Sequence, residues 1–163
     1  NGQIIKDVKI IKNNWKIKHL KSISNIYGSS KYFGDLFPLI EEVINQKSDY
    51  LIDYTINSME IILSKISYDK SNIYFQSKEN IAGSKNDLIV NIVKHFKSNR
   101  YLSGEGAKNY VKENYLKYKN IDHSFNKFKH PIYTQNGNKF IENLSIIDCI
   151  FNIGFNDLKK IIQ

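Results

Sequence analysis

Between residues 14 and 69 the apolar side chains of this chain return every three or four positions, and beyond Asp69 they do not. That change of period constrains the fold most, because a spacing near 3.6 builds helical faces whereas short β-branched runs bounded by turns build strands. Trp15, His19, Ile23 and Tyr27 fall on one stripe of a first helix, opened by Asn14 as N-cap and closed at Gly28. A second helix spans residues 30–46, with Phe33, Phe37, Ile40 and Ile44 inward and Glu41 and Glu42 outward, and Pro38 bends it or splits it in two. A third starts near Ser48 or Asp49 and buries Ile52, Ile56, Met59, Leu63 and Ile66. Ahead of them, residues 4–11 carry the β-branched content of a short strand.

After Asp69 the punctuation predicts strands alternating with helices. Residues 72–76 read as a strand, and a helix over 84–97 is opened by Ser84 with Asp87 three positions on, the pattern of a capping box. A strand over 100–102, a helix over 106–118 and a strand over 121–128 follow. In the last, Ile121, His123 and Phe125 alternate with Asp122, Ser124 and Asn126, as in an edge strand with one wet face. A turn at 135–138 and two short helices, 144–152 and 156–162, complete the chain. The expected fold is α/β: an N-terminal helical run packed on a small, mainly parallel βαβαβ (Rossmann-like) sheet, within one domain over residues 1–163.

Composition excludes several classes. A globular chain of 163 residues buries roughly 70% of its unfolded surface, and 41% hydrophobic with 13% aromatic content is too much for disorder. No apolar run approaches the roughly 18 residues of a membrane span, so a soluble protein with no membrane partner is expected. The net charge of +8 invites a nucleic-acid partner. Arg100 is the sole arginine, however, and the lysines form no dense tract. Lysine is poorly suited to bidentate base or phosphate contacts, so a solvated basic surface is the preferred reading. Cys149 is the only cysteine, which rules out an intrachain disulfide and a thiolate zinc site and suits a reducing, cytoplasmic setting. No metal site is expected.

If the three strands are parallel, the loops leaving them gather at one edge of the sheet, where open α/β sheets bind ligands. Those loops carry Ser84 and Lys85; Ser103, Gly104, Gly106 and Lys108; and His130, Tyr133 and Gln135. The first two also end at helix starts, which favour an anion. Ordinary turn chemistry explains the same glycines, the pattern matches no complete phosphate-binding motif, and Glu105 opposes a phosphate. His130, held extended by Pro131, offers an acid or base beside Tyr133 and Gln135, or simply caps a strand end. Asp148 is a carboxylate in an apolar run and needs a partner, through either a helix cap or an active site. Its neighbour Cys149 reads as a small hydrophobe. A triad of Ser103, His130 and Asp148 can be drawn, though the spacing does not specify it. His19 reads as a packed core residue, and His95 and His123 as surface or edge residues.

Four segments together resemble the WbqC-like family: Asn14-Trp15-Lys16 through His19-Leu20-Lys21 with Tyr32-Phe33; Arg100-Tyr101-Leu102-Ser103-Gly104 through Tyr110; His130-Pro131-Ile132-Tyr133-Thr134-Gln135; and Leu144 through Asp148 to Gly154. Their order and spacing also match, over nearly all of the chain. Members begin with a strand and a proline- and aromatic-rich motif that is not present here, so the chain is expected to lack the family's N-terminal segment and part of its active site. The resemblance implies a role in bacterial O-antigen or related surface-polysaccharide synthesis. It suggests transfer of an acyl or aminoacyl group to the amine of a nucleotide-linked amino sugar, with a nucleotide sugar or other small anion as ligand. On that reading Gly104, Gly106 and Lys108 lie near a phosphate and His130 deprotonates the amine. A looser likeness to nucleotidyl-transferase and pantothenate-synthetase sheets implies ATP as cosubstrate of an amide-forming enzyme. The competing class is a non-catalytic scaffold or a basic nucleic-acid module.

Overall fold

The computed structural model describes residues 2–137 and 139–162 and is mostly helical, with one two-stranded parallel sheet. Helices α1 (Trp15–Tyr27), α2 (Phe33–Asn45), α3 (Leu51–Lys65) and α4 (Lys85–His95) precede strand β1 (Arg100–Gly104). Helix α5 (Glu113–Tyr118), strand β2 (Asp122–Asn126) and helix α6 (Ile146–Ile162) follow. The chain divides into two compact units, one made of Asn1–Lys70 with His130–Gln163 and the other of Ser71–Lys129. Among the described residues no helix is long and apolar enough to cross a membrane.

The first unit is built on α6, whose Cys149, Ile150, Phe151 and Leu158 form one buried cluster with Ile40 of α2 and Ile66 after α3. Phe151 is fully enclosed, with the Tyr27 ring centroid at 5.4 Å and that of Phe33 at 5.2 Å. The two predicted C-terminal helices are present, joined at Gly154, whose φ of 75° and ψ of 174° break the helical path. Glycine is required there twice over. The positive φ disfavours any side chain, and a Cβ would meet the Tyr32 ring at 3.1 Å. Just before the break, the Phe151 carbonyl accepts the Tyr32 N–H at 2.9 Å, which ties α6 to the start of α2.

Several expectations for this unit are corrected. Residues 4–11 form no strand. They contain a short 3-10 turn, Ile5–Asp7, and a single antiparallel bridge between Lys9 and Tyr50, and Ile4, Ile5 and Ile11 stay exposed because the run has no sheet to join. Asn14 does not cap α1; the Asn13 side-chain oxygen instead accepts the Trp15 N–H at 2.9 Å. His19 is exposed rather than packed, since α1 contributes no fully buried residue and His19 only edges against the Trp15 ring. Helix α2 runs through Pro38 without splitting, and the carbonyl one turn back belongs to exposed Gly34. In α3, Met59 is exposed and Tyr54 is buried, because Tyr54 packs on Trp15 and its hydroxyl donates to the Gln46 carbonyl at 2.7 Å.

In the second unit β1 and β2 pair in parallel, with Tyr101 opposite His123 and Ser103 opposite Phe125. The predicted alternation holds: Ile121, His123 and Phe125 face inward while Asp122, Ser124 and Asn126 are exposed. Ile89, Val90 and Val93 of α4 pack with Ala107, Val111, Leu116 and Ile121 to make this unit's core. Residues 72–76 form no strand, so the expected three-stranded βαβαβ arrangement reduces, among the described residues, to this one pair. Ile73 and Phe75 are half-buried around an exposed Tyr74, which imitates strand alternation without a ladder. The helix expected over 106–118 is interrupted, with a 3-10 turn at Glu105–Asn109 and α5 starting only at Glu113. At the interruption buried Asn86 donates to the Tyr110 carbonyl at 3.0 Å and accepts the Lys112 N–H at 2.8 Å, which satisfies backbone groups that a continuous helix would have paired. The turn expected at 135–138 has Gly137 at a φ of 120°, and its Asn138 lies outside the described residues.

Gly154→Ala should destabilise the protein by about 1–3 kcal/mol, the scale for forcing a side chain into a disfavoured backbone region. Urea unfolding followed by circular dichroism measures it, and a midpoint equal to that of the parent would remove the strain argument.

Candidate functional site

The inward face of the β1–β2 ladder carries the chemistry of the second unit. Parallel pairing in this register makes Ser103 and His123 diagonal neighbours, and Ser103 Oγ lies 2.8 Å from His123 Nε2. Ser103 is 6% exposed and the His123 side chain 3% exposed. The imidazole is held between the Tyr101 ring, nearly parallel at 5.5 Å, and the edge of Phe125 at 4.5 Å. Its other nitrogen, Nδ1, is buried with no hydrogen-bond partner among the described residues. The Glu113 carboxylate, on the first turn of α5, stands 3.9 Å from Nδ1. That is too long for a hydrogen bond, but the Glu113 side chain is mostly exposed and can close the gap by rotation. His123 and Glu113 line an open groove of about 610 Å³ together with Asn114, Lys117, Asn120 and Asp122. A hydroxyl touching an imidazole, with a carboxylate near the second ring nitrogen, is an arrangement able to activate a nucleophile.

Six of the ligand residues expected from the sequence, Ser84, Lys85, Ser103, Gly104, Gly106 and Lys108, belong to this second unit. Ser84 is extended ahead of α4 and its hydroxyl makes no cap; Asp87, the expected partner in a capping box, accepts the Tyr115 hydroxyl instead. Lys85 adopts a positive φ of 51° after Gly83, where a Cβ would meet Leu88 backbone at 3.1 Å. A methyl group added at Gly104 or Gly106 would meet nothing within 4 Å, so the backbone there is open to approach. The segment after β1 is a 3-10 turn and not the expected helix start, which removes the dipole argument for an anion at that loop. Lys108 is paired with Glu105 at 2.9 Å and lies over the Phe125 ring. That hydrogen bond, helped by the charges of Lys108 and Lys127, holds the Glu105 carboxyl below its usual range. Because β1 and β2 are parallel, Gly104 and Asn126 end at one edge, whereas the expected third loop, residues 130–135, belongs to the first unit.

His130, Tyr133, Gln135 and Asp148 belong to the first unit. Asp148 is 4% exposed in the first turn of α6. Its Oδ2 accepts the Tyr133 hydroxyl at 2.8 Å and the Gln135 amide at 2.9 Å, and Oδ1 accepts the Asn152 amide at 3.3 Å. Gln135 also closes its own loop, bonding the Ile141 N–H at 2.7 Å and the Ile141 carbonyl at 2.9 Å. The partner that a carboxylate in an apolar run required is therefore a network that pins residues 133–135 to α6. His130 Nδ1 donates to the Pro131 carbonyl at 2.9 Å, which in the neutral ring makes Nε2 the acceptor, and the ring edges against Phe140 at 5.6 Å. In the imagined triad, the histidine that Ser103 touches is His123, and Asp148 is bound to Tyr133 and Gln135. His123, expected as a surface or edge residue, is instead buried on the inward face of its strand, and its pairing with Ser103 depends on register. Glu113 carried no signal in the sequence.

Burial pushes the Cys149 thiol up to about 11, with Asp148 adding to it, and pushes Tyr133 up to about 12. Both groups keep their protons in the folded state at pH values where the unfolded chain loses them. The resulting stability is complete below a pH of about 9 and declines as pH rises towards 12. The urea midpoint should fall over that window, and a flat profile would contradict it. At pH 8 a thiol reagent should modify native Cys149 about 100-fold more slowly than the unfolded chain, from thiolate fraction alone; equal rates would mean an accessible, activated thiol.

The profile of the WbqC-like protein family matches residues 1–160. No curated protein and no solved structure matches the chain.

Proposed function

We propose that this chain, which belongs to the WbqC-like protein family, acts in bacterial surface-polysaccharide synthesis by transferring an acyl or aminoacyl group to the amine of a nucleotide-linked amino sugar. The observation that carries the reading is the 2.8 Å contact between Ser103 Oγ and His123 Nε2, backed by Glu113. Acyl transfer needs a nucleophile whose proton is removed as it attacks and returned as the leaving group departs, and an imidazole does both near neutral pH. Ser103 Oγ attacks the carbonyl of an activated acyl donor while Nε2 takes its proton, and the leaving group departs with that proton. The sugar amine then attacks the resulting ester, Nε2 takes the amine proton, and Ser103 leaves as its hydroxyl. Glu113, turned onto Nδ1, stabilises the imidazolium formed at each step.

The open backbone at Gly104 and Gly106 leaves room for a phosphate of the sugar nucleotide or of ATP, and Lys108 is the cation beside it once its pair with Glu105 opens. Ser84 and Lys85 are proposed ligands at the start of α4. His130 is a second candidate base, favoured by the Nδ1 bond to Pro131 that fixes its tautomer. Asp148, Tyr133 and Gln135 would then act by holding the His130 segment in place.

Incubating the protein with acyl donors, with or without ATP, and nucleotide-linked amino sugars, and detecting amide by mass spectrometry, tests the proposal. Ser103→Ala should lower the rate by roughly 10²–10⁴-fold, with circular dichroism confirming the fold. Loss in His130→Ala but not in Ser103→Ala would move the base to His130. Pyrophosphate release would identify ATP as cosubstrate. Full activity in both variants would overturn the mechanism.

A further inference from the structure

A second site lies in the first unit and uses none of these residues. The N-terminal segment and the start of α3 are clamped by Ile10 N–H to the Asp49 carbonyl at 2.8 Å and Leu51 N–H to the Val8 carbonyl at 2.9 Å, on either side of the Lys9–Tyr50 bridge. Against this clamp opens a groove of about 470 Å³, within the size range of small-ligand sites. Its aromatic wall is Trp15, half-buried and braced by Tyr54 at 5.5 Å, and Tyr54 is itself anchored through its hydroxyl to the Gln46 carbonyl. Lys16 is fixed on the same carbonyl at 2.8 Å, with its ammonium over both rings. Lys12 and Lys47 also line the groove, so three lysines face one acidic residue, Asp49. The Lys12–Asp49 pair, at 3.3 Å, has side chains 84% and 60% exposed. A pair that exposed contributes little, and a ligand anion can replace the carboxylate.

We infer that this groove binds a nucleoside diphosphate, with the base stacked on Trp15 and the phosphates between Lys12 and Lys47. The combination of a braced aromatic ring, two mobile cations and one immobile cation decides the ligand class. A purely apolar ligand would leave the lysines unused, and a bare phosphate would leave the ring unused. Stacking on an aromatic side chain is tolerant of which base is presented, so the site reads the nucleotide part of a ligand and not the sugar attached to it. The inference needs only binding and stands whether or not the chain transfers acyl groups.

Trp15 is the only tryptophan of the chain, so its fluorescence reports on this groove alone. Titration of the full chain with uridine diphosphate should give a saturable change that weakens with added salt. Lys12→Ala with Lys47→Ala should raise the dissociation constant about tenfold or more, and both lysines are exposed, so the fold should survive. Ser103→Ala should leave the titration unchanged, which separates failure of this site from failure of the catalytic reading. Calorimetry of the same titration detects binding that does not perturb the indole. No saturable signal in either method up to about 10 mM ligand would overturn the inference. So would equal affinity for inorganic pyrophosphate, which would mean a simple anion patch. Tighter, steeply salt-dependent binding of a single-stranded oligonucleotide would replace it with a nucleic-acid surface.

Discussion

At three places where a helix or turn of this protein stops, the backbone polar groups left over are answered by a specific partner. Ahead of Gly154 the Phe151 carbonyl takes the Tyr32 N–H. Between the 3-10 turn and α5 the side chain of Asn86 substitutes for two missing helical bonds. At the end of α2 the Gln46 carbonyl accepts both Lys16 and Tyr54. These are the same contacts that fasten α6 to α2, α4 to α5, and α1 and α3 to the end of α2. The apolar clusters supply most of the driving force, but the polar partners decide where the elements sit.

Hydrogen-bond satisfaction also separates the two polar clusters that could do chemistry. Asp148 is buried and every one of its side-chain oxygens is hydrogen-bonded, so its network rigidifies the loop that carries His130. His123 is equally buried, but among the described residues only one of its nitrogens is bonded, and the carboxylate that could serve the other stands at 3.9 Å on an exposed side chain. Buried polar groups left short of a partner cost free energy and persist where a function uses them. That contrast favours the β1–β2 ladder for the reactive pair and α6 for the supporting one.

Much of the helical content was legible because stripes at helical spacing survive any detail of packing. The helices α1 to α4, the break between the last two helical pieces and the strands at residues 100 and 122 follow from periodicity and punctuation. The failures share a cause. The runs at 4–11 and 72–76 have strand composition, but a strand needs a neighbour with free backbone groups, and composition does not supply one. His19 and Met59 lie on correct stripes that the fold leaves uncovered, whereas Tyr54 is buried because a hydroxyl partner was available to it. Asn14 and Ser84 look like caps, yet neither side chain bonds its helix.

By itself the sequence determined that the chain is α/β with a helical first part, that its last strand has one wet face, that Asp148 requires a partner, and that the family is WbqC-like. Those properties depend on local spacing and on motifs that do not change with the arrangement of the elements. Only the tertiary structure decided that Ser103 meets His123, that Glu113 stands behind it, and that Trp15, Tyr54 and three lysines share one groove. These contacts join separate segments of the chain, and for the Ser103–His123 pair a shift of one position in strand register would send every side chain of that strand to the opposite face.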